Sequence, residues 1–187
     1  MQTILSDFQE KMLFESQRQA QIAIESNRDQ LIKGKFSPVD GNSKGMVTLI
    51  EFFDYQCVHC RRLTPNLAEL KKKDPQLRIV YKEFPIFGKE SDFAAKAALA
   101  AQKQGKYHAM HEALMASNGA LTNKQVMILA KQAKLDIKKL KKVWRGEIPV
   151  SVSSVTYSNS NSPNQLQSML VYAFRNGGNG NAIAGAF

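Results

Sequence analysis

The spacing of apolar residues divides the chain into a helical N-terminus, two buried strands and an Ala-rich helical region. Residues 4–32 carry apolar side chains at intervals of three and four among polar residues, without Gly or Pro, which predicts one long helix. Residues 46–55 are almost continuously apolar and β-branched, as expected of a central strand that is buried on both faces. Residues 77–84 alternate as a second strand, which Pro85 closes.

A helix is predicted between the two strands, over residues 58–73, with Pro65 inside it as a source of a kink. A strand, a helix and a second strand in this order predict a right-handed βαβ unit with parallel strands. Four further helices follow the second strand, with Thr122 and Asp136 as N-caps of the last two. They are predicted over residues 91–104, 106–117, 122–134 and 136–144.

The domain organisation follows from these elements. Residues 1–33 form an N-terminal helical extension and residues 34–45 a linker with turn-forming glycines. Residues 46–187 form the main α/β domain, with a helical insertion at about 90–145 and an atypical Ser/Asn/Gly-rich tail at 146–187.

Composition and charge narrow the choice of partners. The 187 residues suffice for one domain plus an appendage, and no run approaches the roughly 18 apolar residues of a membrane span. The net charge of +10 is concentrated in part in residues 71–73 and 138–142. These basic runs are not interleaved with aromatic residues, so we interpret them as solvated helix faces and expect no nucleic-acid partner.

The chain's only two cysteines, Cys57 and Cys60, lie where the first strand gives way to a helix. Unpaired N–H groups and the helix dipole stabilise a thiolate at such a position. We therefore predict that Cys57 is the nucleophile and that Cys60, one turn further, resolves a mixed disulfide. His59 lies between them and can add a donor or a positive charge near Cys57.

Two other residue patterns bear on this site. Glu51 is anomalous inside a buried strand, because a buried carboxylate needs a partner or a function; the alternative is a strand edge that faces solvent. Cys57 and Cys60 with His108 and His111 have the atoms for a Cys₂His₂ zinc site. The long gap between the two pairs disfavours zinc, and we expect the two histidines to be packing or surface residues.

Three segments carry a resemblance to a known family. They are Glu-Phe-Phe-Asp-Tyr at 51–55, which is followed by Cys-x-His-Cys, then Lys-Glu-Phe-Pro-Ile at 82–86 and Ala-Ala-Gln-Lys-Gln-Gly-Lys-Tyr at 100–107. These segments resemble DsbA-like thiol–disulfide oxidoreductases, in particular the bacterial DsbA-type outer-membrane surface antigens. The resemblance covers roughly residues 8–145. It implies a thioredoxin fold with a helical insertion, and it places Glu51 as the buried acid beneath the disulfide, where it could relay a proton.

The resemblance also implies a function and partners. The expected enzyme forms or rearranges disulfides in cysteine-containing exported proteins, is recycled by a redox partner protein, and needs no cofactor and no metal. Oxidation is the expected direction, with isomerase activity possible in a dimer. Residues 4–32 would then form a dimerisation arm, although the helix could instead fold back onto its own domain.

The expected location is the periplasm or cell envelope of a bacterium, although no signal peptide is visible at the N-terminus. Two other classes of protein remain open. One is a non-catalytic surface or binding protein whose cysteines are structural. The other is a truncated, inactive remnant of such an enzyme.

The last forty residues depart from the family's pattern, because no Thr-Pro pair follows position 64. In one account Pro149 serves as the cis-proline, residues 150–157 form the next strand, and a last helix runs from Pro163 to Gly177. In the other account the tail from about Gly146 is the product of a frameshift or premature end. The sheet would then lack its last strands.

Overall fold

The computed structural model describes residues 2–33, 37–146, 170–175 and 183–186. The helices are α1 (Gln2–Ser26), α2 (Arg28–Lys33), α3 (Val58–Lys73), α4 (Lys89–Gln102), α5 (Tyr107–Met115), α6 (Asn123–Gln132) and α7 (Ile137–Trp144). The strands are β1 (Val39–Gly41), β2 (Val47–Phe53), β3 (Leu77–Glu83), β4 (Leu170–Arg175) and β5 (Ile183–Ala186).

The five strands form one sheet in the order β1-β3-β2-β4-β5. Strands β2 and β3 are parallel and joined through α3, as the strand–helix–strand pattern predicts, whereas the other pairs are antiparallel. In the parallel register Glu51 lies opposite Tyr81 and Phe53 opposite Glu83. The two parallel strands therefore end side by side, next to the start of α3.

One face of the sheet packs against the helical insertion. Its buried side chains include Leu49 and Phe53 from β2 and Ile79 and Tyr81 from β3. Helix α4 adds small side chains that are fully buried to the same core cluster: Ala94, Ala97, Ala98 and Ala101. Small residues let this helix approach its neighbours closely, which explains the Ala-rich composition of the insertion.

The other face of the sheet is covered in part by the N-terminal region. Ile24 from α1 joins Ile50, Phe52 and Val80 in a second apolar cluster, with Leu31 and Ile32 of α2 packed against it. The end of the extension thus folds back onto its own domain. By contrast, the first half of α1 exposes its apolar side chains: Phe8, Met12, Leu13 and Phe14.

The extension differs from the prediction in being two helices instead of one. The break falls at Asn27, whose side chain donates to the carbonyl of Ala23 at 2.8 Å, while Ser26 Oγ donates to the carbonyl of Ile22. Such side-chain bonds compete with the helical backbone pattern. Helix α2 then turns Leu31 toward the sheet.

The four predicted helices of the insertion are confirmed, and every end lies within two residues of its predicted position. Thr122 Oγ1 accepts from the N–H of Gln125, and Asp136 Oδ1 accepts from the N–H groups of Lys138 and Lys139, so both predicted N-caps are present. Gly105 has a φ of +68 where α4 gives way to α5. A positive φ favours glycine and stops the helix there.

Two parts of the predicted organisation are revised. The region predicted as a linker contains β1, which pairs with β3; three residues are too few for a periodic signal. In the tail, β4 pairs with β2 and β5 with β4, so the sheet does not lack its last strands. The prediction of a last helix from Pro163 to Gly177 is wrong at residues 170–175, which form strand β4. The predicted cis-proline, Pro149, and the strand predicted at residues 150–157 lie outside the described residues.

Candidate active site

Cys57 occupies the N-cap of α3, at the end of a tight turn that follows β2. Its backbone is extended, and its N–H donates to the carbonyl of Asp54 at 3.0 Å. The side chain of Cys57 accepts no hydrogen bond from the first N–H groups of α3. The positive end of this helix is therefore directed at the residue that carries the first thiol.

Cys60 lies one turn further into α3 and is 2% exposed, against 7% for Cys57. Both cysteines are free thiols. Burial raises the pKa of Cys60 well above its usual range, and the neighbouring Cys57 and the charge of Glu51 raise it further. A thiolate at Cys60 is thus costly, so a sulfur that leaves a disulfide at this position needs a proton.

Glu51 is buried in the middle of β2 and is 1% exposed. Within the described residues neither of its carboxyl oxygens has a hydrogen-bond partner. Burial raises its pKa to about 8, so the group holds a proton at neutral pH. The alternative of a strand edge that faces solvent is therefore wrong for this residue, because β2 is paired on both sides.

His59 is exposed on the first turn of α3, between the two buried cysteines. Val58 beside it is also exposed, with 54% of its surface accessible. The structure thus places the histidine at the protein surface around Cys57. Its predicted influence on the Cys57 thiol stays a prediction.

The turn before Cys57 is held by Asp54, which is buried. Its Oδ1 accepts from the N–H of Gln56 and from Ser91 Oγ, each at 2.7 Å. Its Oδ2 accepts from the N–H groups of Ile86 and Phe87, at 2.7 and 3.1 Å. One carboxyl thus joins the active-site turn, the loop after β3 and the first turn of α4.

The next residue, Tyr55, belongs to a second buried network. Its hydroxyl donates to Glu83 Oε1 at 2.8 Å and lies 3.1 Å from His111 Nδ1. Tyr107 donates to the same Glu83 oxygen at 2.7 Å. Burial raises the pKa of Glu83 to about 8, against the opposing effect of the two tyrosine donors, and burial lowers the pKa of His111 to about 3.

The sequence did not predict these two networks as parts of the site. Asp54 and Glu83 were each visible as an acid at the end of an apolar strand, a weaker signal than the acid in the middle of a strand that singled out Glu51. The histidine expectations are confirmed, because His111 is buried among aromatic rings and His108 is exposed.

Zinc ligation by the four candidate residues is not supported by their arrangement. Among the described residues no group of three or more His, Cys, Asp or Glu side chains is placed to hold a metal ion. His111 also bonds Tyr55 through Nδ1.

A family model described as thioredoxin matches residues 34–161. The chain belongs to the thioredoxin family. The match includes the strand–turn–helix that carries both cysteines and the whole helical insertion. The α/β sheet with its added helices confirms the predicted thioredoxin fold with a helical insertion.

Solved structures agree with this assignment. A thioredoxin-like oxidoreductase from Silicibacter pomeroyi is 46% identical, with 66% of this chain and 70% of that chain covered and a TM-score of 0.63. BcfH from Salmonella enterica Typhimurium is 26% identical over 99% and 86% of the two chains, with a TM-score of 0.66. The fold is also that of the thiol–disulfide exchange protein alpha-DsbA2 from Wolbachia pipientis. That protein is 24% identical, with 68% of each chain covered and a TM-score of 0.62. The predicted thioredoxin-superfamily assignment is thus confirmed, and alpha-DsbA2 shows that DsbA-type proteins share the fold.

The curated relatives are much longer proteins. The antiporter NhaA 1 of Salinispora arenicola is 31% identical over 101 residues, which are 53% of this chain and 16% of the antiporter. The shared segment is thus a small part of that protein and carries no ion transport over to this chain. In the described part of the thioredoxin-family protein, no helix has the length and apolar character that a membrane span requires.

Proposed function

We propose that this thioredoxin-family protein is a thiol–disulfide oxidoreductase that forms disulfides in exported proteins. The observation that carries the proposal is the position of Cys57 at the N-cap of α3, with the buried Cys60 one turn behind it. A helix N-terminus favours the thiolate of the first cysteine, which makes that sulfur both a good leaving group and a good point of attack.

In the oxidative direction, a substrate thiolate attacks the Cys57 sulfur of the Cys57–Cys60 disulfide. A substrate–Cys57 bond forms and the bond to Cys60 breaks. Cys60 leaves with the electron pair and takes a proton. A second substrate thiolate then attacks the substrate sulfur of the mixed disulfide, and Cys57 leaves as a thiolate. The substrate has lost two electrons and the protein's cysteine pair has gained them.

Glu51 is the proposed source of the proton for Cys60. Its neighbours on the same face of β2, Leu49 and Phe53, lie in the buried cluster that contains the cysteine pair. The raised pKa of its carboxyl keeps a proton available near neutral pH. A carboxyl that delivers this proton becomes a carboxylate and is reprotonated from solvent. His59, at the surface beside Cys57, is proposed to stabilise the thiolate and thereby the reduced form.

Two serine variants test the roles of the cysteines. With a reduced two-cysteine peptide as substrate and oxidised glutathione as the terminal oxidant, Cys57→Ser is expected to abolish catalysed peptide oxidation. With a peptide that has a single cysteine, Cys60→Ser is expected to accumulate a mixed disulfide between Cys57 and the peptide, because neither molecule then has a second thiol to displace Cys57; mass spectrometry under non-reducing conditions detects it. Catalysed turnover that survives in Cys57→Ser would contradict the proposal.

The exposed half of α1 is proposed to be a dimerisation arm. Phe8 is 62% exposed and Phe14 is 67% exposed, in a helix whose later residues already pack on the sheet. A second copy could bury this apolar surface, in keeping with the predicted homodimer through residues 4–32. Dimerisation would place two cysteine pairs in one assembly, which is the basis for proposing isomerase activity.

The proposed location is the periplasm or cell envelope, because disulfides form and persist in oxidising compartments. The protein would then need a redox partner that reoxidises its cysteine pair after each turnover. A non-catalytic binding protein remains the alternative from another class. It predicts that the Cys57→Ser variant keeps partner binding and that the wild type has no oxidase activity. An inactive remnant predicts a protein with neither activity.

A further inference from the structure

Tyr55 lies two residues before Cys57, and its side chain points into the core instead of toward the thiol. The residue is 1% exposed. Its ring packs edge-on against Phe53, with centroids 5.2 Å apart. Its hydroxyl reaches Glu83 on β3 and His111 on α5. One side chain of the active-site turn is therefore bonded both to the sheet and to the helical insertion.

The hydroxyl of Tyr55 bridges Glu83 and His111. A phenol has one proton, and that of Tyr55 is donated to Glu83 Oε1, which also accepts from Tyr107. In the tautomer of His111 that carries its proton on Nδ1, the ring donates to the same hydroxyl at 3.1 Å. Burial lowers the pKa of His111, so the ring is neutral.

The main chain of Tyr55 is held as well. Its carbonyl accepts from Arg61 Nε at 2.7 Å, and the N–H of Arg61 donates to the carbonyl of Cys57 at 3.1 Å. The turn that carries Cys57 is thus bonded to the core through the Tyr55 hydroxyl and to α3 through the Tyr55 carbonyl.

We propose that Tyr55 is a positioning residue for the cysteine pair, whose hydroxyl, bonded to Glu83 and His111, fixes the turn that presents Cys57 to Cys60. The inference rests on the proposed thiol–disulfide exchange. Disulfide closure requires a narrow range of separation and orientation between the two cysteines. Restricting the turn raises the effective concentration of one sulfur at the other and so favours the disulfide.

The test compares two Tyr→Phe variants that remove a donor from the same oxygen, Glu83 Oε1. Tyr55→Phe frees the turn, whereas Tyr107→Phe removes the donor on α5 and leaves the turn bonded. Each protein is equilibrated with defined ratios of reduced and oxidised glutathione. The samples are then quenched with acid and alkylated, and mass spectrometry gives the fraction that carries the Cys57–Cys60 disulfide.

We expect Tyr55→Phe to shift the equilibrium constant toward the dithiol by about fivefold, the size of the restriction that one net hydrogen bond places on the turn, because a less restricted turn lowers the effective concentration of one sulfur at the other. Tyr107→Phe is expected to remain within about twofold of the wild type. No shift in Tyr55→Phe, a shift toward the disulfide, or an equal shift in Tyr107→Phe overturns the positioning role. A wild type that forms no reversible Cys57–Cys60 disulfide refutes the proposed function itself, which separates the two failures.

A second pair of variants keeps the proposal testable if Tyr55→Phe does not fold. The amide nitrogen of an asparagine can replace Nδ1 as a donor, so His111→Asn is expected to preserve the wild-type equilibrium. His111→Leu removes the donor and is expected to shift the equilibrium toward the dithiol. Equal behaviour of these two variants in the glutathione equilibrium overturns the proposal.

Discussion

Replacing Glu51 by glutamine removes the one charge that the centre of β2 can acquire. Glu51 is buried, and its pKa is raised by burial from 4.5 to about 8. Between these two values the folded state keeps a proton that the unfolded state has lost, so the free energy of unfolding falls as the pH rises. This stabilisation of the folded state is complete below pH 4.5 and is lost as the pH rises toward 8.

The magnitude follows from the pKa shift at about 1.4 kcal/mol per pH unit. Relative to low pH, the wild type loses slightly less than ~1 kcal/mol of its free energy of unfolding at pH 5 and about 3 kcal/mol at pH 7. Glutamine has nearly the same shape but does not ionise, so Glu51→Gln avoids this loss. The stability of the variant relative to the wild type is therefore expected to rise by about 2.5 kcal/mol between these pH values, whatever constant cost the buried amide adds.

The assay is guanidinium chloride unfolding of the reduced proteins at pH 5, 6, 7 and 8, followed by circular dichroism. Glu69→Gln is the matched control, because Glu69 lies exposed on α3 in an ion pair with Lys73. Exposed pairs contribute little, so its difference from the wild type is expected to stay within about 0.5 kcal/mol at every pH. If the difference in free energy of unfolding between Glu51→Gln and the wild type is constant across the pH range, the argument that Glu51 is a buried neutral acid is refuted.

Two further predictions follow from the site and from the arm. Asp54→Asn is expected to lower the free energy of unfolding by about 3 kcal/mol, because the amide group that replaces Oδ2 would face the N–H groups of Ile86 and Phe87. Chemical denaturation measures this loss, and a value under about 1 kcal/mol would contradict the prediction. If the exposed half of α1 forms a dimer interface, Phe14→Glu is expected to convert a dimer into a monomer in sedimentation equilibrium. Gln9→Glu adds the same charge at a polar position of that helix and is expected to leave the dimer intact.

Much of the fold was predictable because its signals are local. The N-caps at Thr122 and Asp136 and the positive φ at Gly105 are consequences of a few neighbouring residues, and helices α4 to α7 begin and end near the predicted positions. The active-site helix was predicted over the observed range, Val58–Lys73, because a strand end and Asp74-Pro75 bound it on the two sides.

The strands outside the βαβ unit were harder to predict because they depend on pairing over long distances. Strand β1 has three residues and exists only because β3 offers it an edge. Strand β4 was assigned to a helix in one account of the tail, since a six-residue apolar run fits either structure. It lies antiparallel to β2, with Leu170 opposite Phe52, a register that no local pattern in the tail indicates.

The same limit explains why only one of the two buried acids in the sheet was singled out. Glu51 stands in the middle of an apolar run, whereas Glu83 ends a strand, where a charged residue usually faces water. The parallel register places Glu83 opposite Phe53 and so beside the active-site turn. The two acids should then behave differently. Glu83 is bonded by two tyrosines, whereas Glu51 has no such partner among the described residues, in keeping with its proposed role as the proton donor to Cys60.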